Sequence, residues 1–122
     1  MFTLYITDTF SAAHRIEEYH GKCEELHGHN FKVEVLFNGD KLGSGGMLVD
    51  FKVLKNLLKD ILSSLDHKYL NEIDFFKKRA CSSEYIAVYI YNGLKKLIDN
   101  LNIRLYEVRV WESENAYASY RE

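Results

Sequence analysis

Cys23-Glu24-Glu25-Leu26-His27-Gly28-His29-Asn30 puts a thiol, two imidazoles two residues apart and a glycine into one short segment. In an extended chain residues i and i+2 point to the same side, so His27 and His29 can both reach one ion. The same parity continues through Phe31, Val33, Val35 and Phe37, while Lys32 and Glu34 fall on the opposite face. This pattern predicts a strand over 27–37 with one apolar face and the histidines at its mouth.

A catalytic tetrahedral zinc takes three protein ligands and keeps one position open, so a third donor is required. His14 qualifies, because its parity partners Leu4, Ile6, Phe10 and Ala12 form an apolar alternating face broken only by Asp8. If strand 2–14 pairs with strand 27–37, the three imidazoles converge where both apolar faces end. A lone His-x-His is commonly incidental. The parity-matched third histidine and the nearby Cys23 are what turn the reading toward metal.

The chain has 122 residues, 47% hydrophobic and 14% aromatic, with a formal net charge of −2 from 16 basic and 18 acidic residues. That is the length of one globular domain with a real core. The mixed charge gives no footprint for nucleic acid or an anionic membrane, and Lys77-Lys78-Arg79 reads as a solvated loop. No apolar run is long enough to span a bilayer, no secretory signal opens the chain, and Cys23 and Cys81 are read as free thiols of a cytoplasmic protein.

Further along, Asn38 to Gly46 reads as a hairpin turn and Met47 to Val49 as a short extended piece. Asp50 is placed to cap a helix with Phe51, Leu54, Leu57, Leu58, Ile61, Leu62 and Leu65 at helical spacing. Asp66-His67 follows at its end, where side chains can turn into a cleft. Cys81-Ser82-Ser83-Glu84 starts a second helix with a serine N-cap, and Glu84 is explained there by the helix dipole alone. Strand 105–112 carries Tyr106, Val108 and Val110 on one face and brings Glu112 onto it, a costly place for a carboxylate without a partner. A fourth strand, 116–120, ends the chain. The order strand, strand, helix, helix, strand, strand predicts an α+β fold: a four-stranded antiparallel sheet with two helices on one face, and sheet edges that association between subunits could cover.

These residues carry a resemblance. Phe10-Ser-Ala-Ala-His14-Arg15, Cys23-x-x-x-His27-Gly28-His29-Asn30, Val49-Asp50-Phe51, Leu65-Asp66-His67-Lys-Tyr-Leu-Asn71, Ser82-Ser83-Glu84 and Trp111-Glu112-Ser113 run in the order seen in the 6-pyruvoyltetrahydropterin synthase family. The chain most resembles its 6-carboxytetrahydropterin synthase branch in the queuosine pathway. The resemblance implies a single such domain over 1–122 with the tunnelling fold, in which subunits join their sheets into a barrel. It implies a homo-oligomer, a hexamer, with active sites between subunits. It implies that His14, His27 and His29 bind zinc, that Cys23 is the catalytic thiol and Asp66 with His67 the acid–base pair, and that Glu112 anchors the pterin ring in a pocket lined by Ser82 and Glu84. The implied reaction converts 7,8-dihydroneopterin triphosphate to 6-carboxy-5,6,7,8-tetrahydropterin, releasing triphosphate and acetaldehyde. Cys81 and Ser82 depart from the usual proline and threonine of relatives.

Sister branches making a 6-pyruvoyl product or serving folate synthesis use the same site. Two other classes compete: a non-catalytic zinc or pterin-binding module, which the scarcity of cysteine ligands disfavours, and a zinc hydrolase, which the lack of a helical His-Glu-x-x-His disfavours.

Overall fold

The computed structural model describes residues 1–16 and 26–122. Two 13-residue strands, β1 (Phe2–His14) and β2 (His27–Gly39), pair antiparallel without a break, from Phe2 opposite Gly39 to His14 opposite His27. Their alternation is the cause: Ile6, Phe10, Ala12, Phe31, Val33, Val35 and Phe37 all point to one side and are buried there. β3 (Arg104–Ser113) and β4 (Ala116–Tyr120) extend the sheet in the order β1-β2-β3-β4, antiparallel throughout.

Helix α1 (Phe51–Ser63) starts where Asp50 accepts from the Lys52 N–H, and it buries Leu54, Leu58 and Leu62. Phe51, expected on the buried stripe, is instead about half exposed at 48%, in the first turn of the helix, where it lines a shallow apolar pocket with Phe2 and Leu4 of β1. The short α2 (Asp74–Lys77) was not expected from the sequence; four residues are too few to show a period. Helix α3 (Ser83–Leu97) is capped by Ser82, which accepts from the Tyr85 N–H, and it buries Ile86, Ile90 and Leu94, though Leu97 points outward. Gly93 lets α1 approach α3, since a Cβ there would lie 2.7 Å from Ile61 Cδ1.

Two local expectations are corrected. The glycine cluster forms a 3-10 turn (Ser44–Gly46) that leads from β2 into α1 rather than a hairpin, with Gly45 and Gly46 both at φ 70°. Met47 is extended, as expected, before the chain bends into α1. Tyr106 is 41% exposed, because the register jumps there, with Leu36 opposite Glu107 and Phe37 opposite Leu105. The residue left over in such a bulge turns out of the pleat.

Candidate active site

Register and parity build the site. His14 faces His27 across the ladder and Ala12 faces His29, so three imidazoles gather on the helix-bearing side at one end of the sheet. Phe31 forms the floor, its ring 5.3 Å from that of His14 and 5.5 Å from that of His29. Glu112 reaches the cluster from β3. The β3–β4 register shifts between Trp111 and Ser113, leaving Glu112 as the unpaired residue of a bulge, the kind of irregularity that re-aims a side chain.

Glu112 Oε1 lies 3.2 Å from His14 Nε2, 3.0 Å from His29 Nε2 and 4.0 Å from His27 Nε2. Its other oxygen accepts from the Ser83 hydroxyl at 3.3 Å. His14 is 1% exposed, and its Nδ1 sits 2.8 Å from the Cys81 carbonyl oxygen, which can only accept. Nδ1–H therefore donates to that carbonyl, which leaves Nε2 as the ring atom that faces the cluster.

Four donor atoms, from His14, His27, His29 and Glu112, lie within 4.8 Å of one another and could hold a metal ion. The donor chemistry fits, since three imidazole nitrogens are the protein ligands that a catalytic divalent cation takes, and the Cys81 carbonyl holds the other nitrogen of His14 as such a ligand ordinarily requires, with the Glu112 carboxylate beside them. The carboxylate's place among these atoms was not foreseen; the sequence marked Glu112 as a carboxylate continuing an apolar face, and the resemblance implied it as the anchor of the pterin ring, not as a neighbour of the imidazoles.

The second group of expected residues is adjacent. Asp66 Oδ2 lies 3.0 Å from His67 Nδ1, and Asp66 Oδ1 accepts from the Ser11 N–H at 2.9 Å. That backbone donor, aided by His67, holds the Asp66 carboxyl below its ordinary range. His67 and His29 line one open groove together with Ser11, Ala13, Asn30 and Lys68. Ser82 is engaged as the helix cap, whereas the neighbouring Ser83 touches Glu112, and Glu84 is exposed in the first turn of α3. Cys81 is a buried free thiol that burial pushes up to about 12, which makes it inert. Cys23 lies outside the described residues.

The sequence profile of the family described as 6-pyruvoyl tetrahydropterin synthase matches residues 3–122. An Archaeoglobus fulgidus protein, 40% identical over 95% of this chain and 92% of its own, carries the provisional name 6-carboxy-5,6,7,8-tetrahydropterin synthase. A Haemophilus influenzae protein with that name is 30% identical over the full length of both chains. Among solved structures, Caenorhabditis elegans 6-pyruvoyl tetrahydropterin synthase superimposes with a TM-score of 0.87 at 30% identity, covering 99% of this chain and 95% of that one.

Proposed function

Since the chain belongs to the 6-pyruvoyl tetrahydropterin synthase family, a family of pterin lyases, we propose that it converts 7,8-dihydroneopterin triphosphate and one water to 6-carboxy-5,6,7,8-tetrahydropterin, releasing acetaldehyde and triphosphate, for queuosine synthesis. The observation that carries the reading is the convergence of His14, His27 and His29 with Glu112, in a chain whose relatives bear that enzyme's name.

His14, His27 and His29 would hold zinc, which supplies Lewis acidity toward the hydroxyls of the substrate side chain. Glu112 accepts from the amino-pyrimidinone edge of the pterin, and its tie to Ser83 restrains it for that task. Asp66 fixes the Nδ1–H of His67, so that the opposite ring nitrogen takes and returns protons at the substrate. Cys23 removes a proton from the other side, and Ser82 and Glu84 line the ring pocket. The same reading makes the protein a cytoplasmic homo-oligomer, a hexamer with active sites between subunits.

The resemblance to the Caenorhabditis elegans enzyme supports a second reading, in which the same site yields a 6-pyruvoyl product. Product identity separates the two. Zinc-loaded protein is incubated with 7,8-dihydroneopterin triphosphate and the products are identified by mass, beside Cys23→Ala. We expect the 6-carboxy product and acetaldehyde, both lost in the variant. A 6-pyruvoyl product moves the chain to the sister activity, and no pterin turnover by fully metallated protein rejects both.

A further inference from the structure

β1 is an edge strand, and in an antiparallel ladder alternate residues turn their N–H and C=O groups toward opposite edges. At its far end the groups turned away from β2 belong to Ser11, Ala13 and Arg15, and residues 66–71 engage all three. Ser11 N–H donates to Asp66 Oδ1 at 2.9 Å and its C=O accepts from His67 N–H at 2.6 Å, while Ala13 N–H donates to the Lys68 C=O at 3.0 Å. The last rung is made by one side chain. Asn71 Oδ1 accepts from Arg15 N–H at 2.9 Å and its Nδ2 donates to Arg15 C=O at 2.8 Å.

A carboxamide offers one acceptor and one donor side by side, as a peptide unit does, so Asn71 closes the strand edge like another residue of backbone. Arg15 directly follows His14. The His14 ring is fixed at its other nitrogen by the Cys81 carbonyl and is 1% exposed, so a shift of its main chain cannot be absorbed by turning the ring.

We propose that Asn71 is a positioning residue of the metal centre: its paired hydrogen bonds to Arg15 hold the end of β1 so that His14 Nε2 stays within reach of the other donors. The residue touches none of the donor atoms among the contacts described above and acts through His14. Aspartate in its place would set a second acceptor against the Arg15 carbonyl, and alanine would leave both Arg15 groups without this partner.

This rests on the metal reading of the site, and the test separates the two. Metal-free wild type, Asn71→Ala and Asn71→Asp are titrated with zinc against a competing chelator, and the cobalt-loaded forms are compared by visible absorption. Affinity is expected to fall about 10- to 100-fold in both variants, the loss usual when a group that orients a metal ligand is removed, with altered cobalt bands and retained far-UV circular dichroism. Asn71→Asp keeps one of the two bonds and decides the matter if Asn71→Ala does not fold. Leu94→Val, a core change remote in sequence from the site, should lower the melting temperature and leave metal affinity at the wild-type level. Wild-type affinity and spectrum in a folded Asn71 variant, or an equal loss in Leu94→Val, overturns the inference alone. A wild type that takes up no metal overturns the metal reading and this inference with it.

Discussion

His67 holds its backbone at φ 59°, alone among the described non-glycine residues. For an L-residue that conformation costs about 1–2 kcal/mol, and the bonds to Ser11 and Asp66 offset it. Strain kept in place beside a groove agrees with a task for this side chain. The Asp66 carboxyl is depressed, so its contribution to stability is present above the unfolded value and lost as pH falls through the folded one. Around neutrality it is therefore an ionised acceptor, able to hold the His67 Nδ1–H. His67→Asn is the informative change, because asparagine enters the left-handed region readily. It should lower kcat by about 10²- to 10⁴-fold while metal content, measured by atomic emission, stays at the wild-type level. Metal lost together with activity would instead place His67 among the ligands.

Each face of the sheet has its own logic. On the face away from the helices Glu34 is only 7% exposed, accepting from the Tyr5 hydroxyl and from Trp111 Nε1, with Arg109 close enough to act on it and itself paired to Glu107 at 2.6 Å. Burial pushes the Glu34 carboxyl upward, but these two donors with Lys32 and Arg109 outweigh it, and the net direction is down. By the same linkage, this stabilisation is full above the ordinary glutamate range and disappears as pH falls below it. Glu34→Ala should cost about 1.5–3 kcal/mol near neutrality, as expected for donors to a charged group, and should flatten the acid limb of urea midpoint against pH. An unchanged acid limb would remove Glu34 from that role. The strands, with the parity that turns His14, His27 and His29 to one side, and the two helix starts at Asp50 and Ser82 were legible because a period of two and a local cap involve only near neighbours in sequence. Pairing of Ser11, Ala13 and Arg15 with residues 66–71 was not, since the partners stand 55 or more positions apart and two of the rungs are side chains. The glycine cluster after β2 misled for a related reason: turn residues look alike whether the next element is a strand or a helix.

The whole molecule ends its sheet in two edges, β1 and β4. Among the described residues the 66–71 segment covers β1 only from Ser11 onward, and the exposed Phe2 and Tyr5 lie along the rest. The β1–β2 register is unbroken, so the backbone groups of Tyr5, Thr7 and Thr9 point to the same outer edge as those of Ser11 and Ala13. Thr9 N–H in fact turns to the neighbouring Asp8 carboxylate, at 2.8 Å, rather than to β2. An open edge of this length is a template for another strand, and edge pairing between copies is a route by which sheets of this shape would join in the oligomer proposed above. Thr7→Pro deletes one outward N–H and leaves the β1–β2 ladder its bonds, since proline is tolerated on an edge strand where the missing donor faces outward. Thr7→Ala is the control, because Thr7 Oγ1 also donates to the Val33 carbonyl at 3.0 Å and that bond is lost in both variants. Light scattering after gel filtration should find the wild type and Thr7→Ala as one oligomer and Thr7→Pro shifted to smaller species with its circular dichroism intact. Turnover should fall in proportion to dissociation if active sites lie between subunits. A Thr7→Pro protein of wild-type mass would move the subunit contact away from β1, and a folded monomer with full activity would place the whole site within one chain.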